Sequence, residues 1–485
     1  MIVCLYFLVA LVASVLGYFF IDEKMNIYYM ASCSWAMAIG AVGFVGYMRF
    51  KSRDFSYLSA SSLFVLGFGL VHFFYGAILL IEEEIQYLSF LWRYPKSANY
   101  TILIGVVAFS LFIFGYLSLT LKKARVIPTR IASVSEANLS RLLLIAPIVS
   151  IVNFAMFLAV VGPTYLSGAY AGSSNWRGGG TYYFLFFEIF FYLTLTLEVY
   201  KIRLRAKGRE WGVLKYAFSF NIVTLALLFF YIVFNAYIGD RGPILTTLFI
   251  VVGGYDFFIK RFKLITVLAA LLFGMFTMSF IADYRTRDAS MTFEQRMDKG
   301  LFRMGDRKWY AAPGELGGSV RILNTAIVYA ESDGLWWGKF QTVYILGLVP
   351  MAKSFVAYTL RLPFGMTSSF YFTQIINGVG SAVGAGTTIV ADIYMDWGVT
   401  GVVVLFFVLG RFMAWIESNV AHSTSLYLNC LYLLVLSNAL YWGRSALLAE
   451  INTWAWSLLI LWASHRFLLG HRFIMERRAK RSFLG

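Results

Sequence analysis

Long apolar runs, separated by short polar connections, fill the chain up to residue 283 and again from residue 389. A helix that crosses a bilayer needs about 20 mainly apolar residues. Twelve runs approach that length, at 2–21, 26–48, 57–82, 101–121, 142–162, 181–200, 216–239, 243–259, 264–283, 389–410, 424–441 and 452–469. The pattern therefore predicts an all-α polytopic membrane protein with about 12 transmembrane helices.

The same pattern divides the chain into three regions. Residues 1–283 contain the first nine predicted helices, and residues 389–485 contain the last three and a basic tail. Between them, residues 284–388 are the only sizeable segment outside the membrane. A segment of this length is usually functional or disordered, and its aromatic and apolar content argues against disorder. We therefore predict a loop region with short interfacial helices.

Two stretches of this loop region have helical character. Apolar residues recur at helical spacing in the first stretch, at Val320, Leu323, Ile327 and Ala330. The second stretch, 341–359, is apolar but is interrupted by Pro350 and Lys353. We predict that it lies on the membrane or re-enters it, because one more crossing would reverse the orientation of the basic tail.

Composition supports the membrane assignment. Hydrophobic residues make up 60% of the 485 positions and charged residues 14%, with a mean hydropathy of +0.71, too much apolar surface for a soluble core. The net charge is +16, but the basic residues lie between apolar runs and do not indicate nucleic-acid binding. The cysteines Cys4, Cys33 and Cys430 lack metal-ligand spacing, so neither a metal nor a cofactor is predicted.

The basic residues also predict an orientation. Outside residues 284–388, 24 of them fall on one side of the predicted membrane and six on the other. Lys and Arg are enriched in cytoplasmic loops. Both termini are therefore predicted to be cytoplasmic, in a bacterial inner membrane, with 284–388 outside. Residues 2–21 lack a basic leader and a cleavage site, so they are expected to remain as the first span.

Arg241 is the most informative residue on the predicted outer side. It lies in a short turn between two apolar runs, followed by Gly242 and Pro243, which favour a tight turn and a helix start. A guanidinium near a helix N-terminus can bind an anion. The alternatives are that Arg241 contacts lipid headgroups or pairs with Asp240.

Further arginines lie on the same side, at Arg177 before a span, at Arg285 and Arg287 after a span, and at Arg444 in a short turn. A guanidinium has the planar, multi-donor geometry that binds phosphate oxygens. Several of them around one pocket would bind a pyrophosphate-linked lipid. The alternative for each one alone is a headgroup contact.

Acidic residues on this side are Asp240, Asp283, Asp288, Glu315, Asp392 and Glu450, most of which we expect to form ion pairs or helix caps. The four histidines lie within spans or near the cytoplasmic side, so an external histidine base is not expected. The Gly-rich stretch 378–388 lacks the Lys-Ser/Thr of a nucleotide-binding loop and is predicted to be external. A lid or a re-entrant turn fits it better.

Four patches, in this order, resemble the O-antigen polysaccharide polymerase (Wzy) family. They are DRG at 240–242, GELGGSVRILNTAI at 314–327, WWGKFQTVYILGLVP at 336–350 and TTIVADIYMDWGVTGVVVLFFVLG at 387–410. Together they span residues 240–410, about a third of the chain. One departure is Asp392, where the resemblance would favour Glu.

The resemblance implies a GT-C-like fold and an inverting glycosyltransferase of lipopolysaccharide biosynthesis. Such an enzyme moves a growing glycan from undecaprenyl pyrophosphate onto the next lipid-linked repeat unit, without a nucleotide or cofactor. On this basis Arg177 and Arg241 would bind pyrophosphate, with Arg285 and Arg444 as supporting clamps. Glu315 is the first candidate for the general base and Asp240 the second. Implied partners are undecaprenyl-pyrophosphate-linked oligosaccharides, membrane lipids and, as an open question, a chain-length regulator.

Three other classes stay open. An O-antigen ligase would use the same donor, but would be expected to carry an external histidine. A polysaccharide flippase or transporter would be expected to show repeats and charged or broken helices at mid-membrane. The third class is a non-catalytic scaffold of an export assembly.

Overall fold

A computed structural model describes residues 2–21, 24–52, 55–82, 84–85, 91–120, 136–162, 179–285, 291–305, 308–349, 352, 355, 367–381 and 384–482. All regular secondary structure in these ranges is helical, so the prediction of an all-α protein is confirmed. Each of the twelve predicted runs overlaps a helix or a pair of consecutive helices.

The first region contains α1 (Ile2–Phe19), α2 (Ile27–Lys51), α3 (Ala60–His72), α4 (Phe74–Ile78), α5 (Ala98–Thr120), α6 (Glu136–Val161), α7 (Gly180–Ala206), α8 (Val213–Ala217), α9 (Ile222–Ile238), α10 (Gly242–Leu248), α11 (Gly254–Phe258) and α12 (Leu264–Tyr284). A π-helical turn, Phe249–Gly253, joins α10 to α11 and makes them one continuous rod.

The loop region contains α13 (Phe293–Gly305), α14 (Ala311–Gly317), α15 (Val320–Ser332), α16 (Lys339–Leu346) and α17 (Ser368–Asn377). The last region contains α18 (Ile389–His422), α19 (Leu426–Trp442) and α20 (Ile451–Ser482). In α15, Val320, Leu323 and Ile327 of the predicted stripe are buried and Ala330 is partly buried. Residues 322 and 324–326 are buried as well, so burial is not limited to the predicted face.

Seven of the described helices are long and apolar enough to cross a bilayer: α1, α2, α5, α6, α7, α12 and α18. Four shorter apolar stretches accompany them, Ala60–His72, Ile222–Ile238, Gly242–Phe258 and Leu426–Trp442. The chain is therefore a helical membrane protein. In the stretch 341–359, residues 341–346 belong to the eight-residue α16, and 350, 351, 353, 354 and 356–359 lie outside the described residues.

Two glycines allow α5 and α18 to pack with their backbones in contact. A Cβ atom at Gly115 would lie 2.0 Å from the carbonyl oxygen of Phe407, and one at Gly410 would lie 2.0 Å from that of Phe112. Helices in a bilayer associate mainly by close packing, and small residues permit that approach. This pair forms the centre of the bundle, where α18 also contacts α15 and α19.

α18 is interrupted at Gly398, whose φ of 62° and ψ of −157° are non-helical. The carbonyl oxygens of Met395 and Asp396 instead accept hydrogen bonds from the backbone amides of Trp336 and Trp337, each at 2.9 Å. The segment before α16 is thereby attached to the first part of α18.

Candidate functional site

The turn between α9 and α10 presents Arg241 at one end of the bundle. α9 ends at Gly239, which adopts a left-handed conformation with φ 80°. α10 starts at Gly242 with Pro243 in its first turn, as the sequence predicted. The guanidinium Nη1 of Arg241 donates to the carbonyl oxygen of Met278 in α12, at 3.2 Å. This bond directs the side chain toward the loop region.

Arg241 forms a two-point ion pair with Glu315 of α14. Its Nη1 donates to Oε2 of Glu315 at 2.7 Å, and its Nη2 donates to Oε1. The side chains are 16% and 28% exposed, so the pair is only partly screened by solvent. α14 reaches this position because it packs against α3, α4 and α12. Arg241 therefore binds a carboxylate of the loop region and not its neighbour Asp240.

The ion pair determines the protonation of Glu315. Burial alone would raise the pKa of this carboxyl group, but the hydrogen bonds and charge of Arg241 outweigh it, and Arg444 and Arg285 add to the effect. The pKa of Glu315 is therefore below its usual value. A carboxylate held in this state accepts a proton poorly while Arg241 is bound to it.

Arg444 and Glu315 line one cavity of about 450 Å³. The cavity is lined by α14 and its flanking residues, by parts of α4 and α15, and by the turns at 385 and 444. The lining residues are Tyr75, Tyr310, Ala311, Gly314, Glu315, Gly318, Ser319, Arg321, Ala385 and Arg444. Burial lowers the pKa of the Arg444 guanidinium, Glu315 opposes that shift, and Arg241 and Arg321 reinforce it. A pocket of this volume is suited to a small ligand.

Arg285 and Asp240 adjoin the ion pair. Arg285 follows the last residue of α12 and its side chain packs on Gly239, where an added Cβ would lie 2.9 Å from its Cγ. Arg285 lies within electrostatic range of both Glu315 and Asp240. Burial raises the pKa of Asp240, although the amide of Gly242 donates to its carboxylate and both arginines oppose the shift. The backbone amide of Gly242, at the start of α10, thus already bonds to Asp240, whereas this helix N-terminus was expected from the sequence to be available to an anion.

The acidic residues of α18 hold neighbouring segments in place. Oδ2 of Asp392 accepts from the side-chain amide of Gln341 at 3.1 Å and from the backbone amide of Leu447 at 3.0 Å. Oδ2 of Asp396 accepts from the amide of Phe340 at 3.0 Å at the start of α16. Because Leu447 lies three residues after Arg444, Asp392 fixes the turn that carries this arginine.

The remaining predicted residues lie elsewhere. Arg177, Arg287 and Asp288 are outside the described residues. Asp283 is buried at the end of α12. Glu450 lies in the turn before α20, where burial raises the pKa of its carboxyl group.

The other titratable groups do not form a metal site in the described ranges. His72 is buried within α3, and His422 and His465 lie in α18 and α20. Among the residues that the structure describes, no group of three His, Cys, Asp or Glu side chains could hold a metal ion.

Three cavity residues were not singled out from the sequence. Arg321 lies in α15, one turn after the glycines that follow Glu315, and Tyr75 and Tyr310 lie in α4 and before α14. The motif 314–327 contains Arg321, so its position in the same motif as Glu315 was a usable signal. The tyrosines gave none, because 31 tyrosines are spread along the chain.

The cluster combines four arginines with two carboxyl groups. Arg241, Arg285 and Arg444 act on Glu315, and Arg241 and Arg285 act on Asp240 as well. Arg321 lies within electrostatic range of Arg444. The arginines come from four separate elements, and in a half-buried setting their charges act with less screening than in water. The arrangement is suited to an anionic ligand.

The chain matches no protein-family model, no curated protein and no solved structure.

Proposed function

We propose that this protein polymerises undecaprenyl-pyrophosphate-linked oligosaccharide repeat units into O-antigen or a similar surface polysaccharide. In this proposal it is a multi-pass enzyme of the bacterial inner membrane, with about twelve spans in a GT-C-like arrangement and both termini in the cytoplasm. The site faces the periplasm. Seven long apolar helices and the asymmetry of basic residues support the topology.

The observation that carries the proposal is the convergence of Arg241, Arg285 and Arg444 on Glu315, next to a cavity that Arg444 and Arg321 line. A lipid diphosphate linked to a sugar carries one negative charge on each phosphate, so arginines are suitable partners for it. Charged hydrogen bonds from guanidinium groups are the strong, directional contacts that phosphate oxygens prefer.

The residues would act on a glycosyl diphosphate donor as follows. The bond between the anomeric carbon and the phosphate oxygen breaks, and the leaving diphosphate gains charge that the arginines stabilise. The acceptor hydroxyl attacks from the opposite face, forms the new glycosidic bond and loses its proton to a carboxylate, with inversion. General-base assistance of this kind contributes about 10²–10⁴-fold.

Two carboxyl groups are candidates for that proton. Asp240 has a raised pKa and is the stronger base in the present arrangement. Glu315 would become a base when a diphosphate binds Arg241, because Arg241 would then no longer hold the carboxylate of Glu315. Arg177, on the same predicted face, would be a further diphosphate contact.

The test is the glycan profile of the producing bacterium after deletion of this protein and return of variants. Loss of the protein should leave single repeat units, and the wild-type chain should restore long polymers. Arg241→Ala and Arg444→Ala should fail to restore them at normal membrane levels. Lys96→Ala is the matched control, because it removes one exposed positive charge from the same predicted face outside the cluster.

Other outcomes identify other functions. Long polymers that accumulate unattached to the cell surface in the deletion strain would indicate a ligase. Lipid-linked units retained in the cytoplasm would indicate a flippase. Polymers of wild-type length from Arg241→Ala would remove this arginine from the mechanism.

A further inference from the structure

The cavity beside Arg444 is lined by two chemically different groups of residues. The first group is charged: Arg444, Arg321 and Glu315 line the cavity, and Arg444 lies within electrostatic range of the other two. Tyr75 and Tyr310 form the second group, and their phenol groups lie within electrostatic range of each other. The cavity is thus lined by two arginines and, elsewhere, by two tyrosines.

Glycine residues of α14 bring Tyr75 to the cavity. A Cβ atom at Gly314 would lie 2.6 Å from the hydroxyl oxygen of Tyr75, so any larger residue there would displace the ring. The two tyrosines are 8% and 9% exposed, so neighbouring residues cover most of each side chain and restrain it. Fixed rings bind with a small entropic cost.

Gly318 leaves the interior of the cavity unfilled. A Cβ atom built on it would meet only carbonyl oxygens of its own helix, 3.4 and 3.9 Å away, although the residue lines the cavity. Its φ of −58° is accessible to every residue type, so backbone conformation does not require glycine here. The open volume, in contrast, depends on the missing side chain.

We propose that this cavity holds the first sugar ring of a glycosyl diphosphate, stacked against Tyr75 and Tyr310, while Arg444 and Arg321 bind its phosphates. The inference rests on the proposed function and specifies where the donor sugar lies. A pyranose has a flat C–H face that packs on an aromatic ring, and hydroxyl groups at its edge that need hydrogen-bond partners.

The polar part of the lining favours a sugar over the isoprenoid tail of the same lipid. Ser319 and the tyrosine hydroxyls would find partners in the hydroxyl groups of a sugar, and so would the carboxylate of Glu315 once a diphosphate has displaced it from Arg241. An isoprenoid chain would cover them without pairing, which costs free energy. The volume of about 450 Å³ is within the range of small-ligand pockets and would admit a sugar unit, whereas a long tail belongs in the bilayer.

The test compares two probes on the purified full-length protein, farnesyl diphosphate and farnesyl diphosphate carrying one N-acetylglucosamine. Gly318→Leu should fill the cavity and weaken binding of the sugar-bearing probe by about tenfold or more, with the bare diphosphate changed by less than about threefold. Gly43→Leu is the matched control, because its site in α2 has open space within 4 Å. It should bind both probes like the wild type.

A second variant keeps the test decisive if Gly318→Leu does not fold. Tyr310→Leu should lose the preference for the sugar-bearing probe, and Tyr310→Phe should retain most of it, because the ring and not the hydroxyl makes the stacking contact. Equal binding of both probes by wild type, Gly318→Leu and Tyr310→Leu would overturn the sugar subsite.

A failure of the proposed function would give a different result in the same experiment. Arg444→Ala should weaken both probes, because both contain the diphosphate. If the wild-type protein binds neither probe, or if Arg444→Ala binds both unchanged, the diphosphate site itself is refuted. If Arg444→Ala weakens both and Gly318→Leu weakens neither, the diphosphate site stands and only the sugar subsite is lost.

Discussion

Arg241 and Glu315 are 74 positions apart in the sequence and are joined by two parallel hydrogen bonds between guanidinium and carboxylate. A guanidinium binds a phosphate with the same two-point geometry. In the proposed function, Glu315 therefore occupies the position that one phosphate of the diphosphate would take. A diphosphate that binds Arg241 would then have to compete with this internal carboxylate.

The competition predicts opposite effects of Glu315→Gln on binding and on turnover. The amide removes the competing charge, so inorganic pyrophosphate should bind more tightly, by about tenfold, the equivalent of one charged hydrogen bond at about 1.5 kcal/mol. Glycan polymerisation should fall by about 10²–10⁴-fold if Glu315 accepts the proton. Calorimetric binding and in vitro polymer length measure the two effects.

Asp240→Asn is the control for the change in net charge. It also adds one positive charge to the cluster, but it does not release Arg241 from Glu315. Pyrophosphate affinity should therefore rise clearly more in Glu315→Gln than in Asp240→Asn. An equal rise in both variants would show that only the total charge matters and that the ion pair is no competitor.

Arg241→Lys should weaken pyrophosphate binding although the positive charge is kept. Lysine cannot supply two coplanar donors, so one charged hydrogen bond is lost, worth about 1.5–3 kcal/mol, or about 10–150-fold in affinity. Titration of the purified variant with pyrophosphate measures this change. Arg93→Lys, outside the cluster at the carbonyl oxygens of Ile375 and Ile376, should bind like the wild type. Wild-type affinity in Arg241→Lys would exclude two-point binding.

The two carboxyl groups should affect stability at different pH. The pKa of Glu315 is lowered by folding, so its ionised form stabilises the folded protein above the ordinary carboxyl pKa of about 4.3. This contribution is lost as the pH falls through the lower, folded-state value. Glu315→Gln should therefore lower the thermal midpoint at neutral pH, and the difference from wild type should shrink in acid.

The contribution of Asp240 to stability should change with pH in the opposite direction. Its pKa is raised by folding, so its contribution to stability is present below the ordinary aspartate pKa of about 3.9 and is lost as the pH rises through the folded-state value. Asp240→Asn should therefore melt at a higher temperature than the wild type at neutral pH, with convergence in acid. A lower midpoint at neutral pH would contradict the raised pKa.

Gly410→Ala should destabilise the protein although alanine favours helices. Its methyl group would lie 2.0 Å from the carbonyl oxygen of Phe112, and α5 and α18 would have to separate. Overpacking of this kind costs about 1–3 kcal/mol or more. The same change at Gly43, where space is open, should be neutral or slightly stabilising. Comparison of the two thermal midpoints, in one detergent, tests the difference.

Hydropathy predicted where helices occur but not where they end or break. α18 was expected to end near residue 410 and continues to His422, because its polar residues Arg411 and Glu417 stay on the helix beyond the apolar run. The predicted run 57–82 is divided at Phe73 between α3 and α4. A hydropathy window indicates whether a segment lies in lipid or in water. The ends and breaks of helices depend on tertiary contacts, which the window does not detect.

The candidate site was predictable in its residue types and not in its pairings. Arg241, Arg285, Arg444 and Glu315 could be selected because charges are scarce on that face. That Arg241 binds Glu315 depends on how α14 packs against α3, α4 and α12, which one sequence does not reveal. Arg321 and the tyrosines enter for the same reason.

The break at Gly398 has a mechanical consequence for the molecule. The short first part of α18 bonds through the carbonyl oxygens of Met395 and Asp396 to Trp336 and Trp337, which precede α16. The long second part is locked against α5 by Gly115 and Gly410. We expect the two parts of α18 to move as rigid bodies about Gly398. A tilt of the first part would then shift the turn that carries Arg444, while the second part stays in place against α5. Distances between spin labels on the two parts, measured with and without pyrophosphate, would reveal such a tilt, and unchanged distances would exclude it.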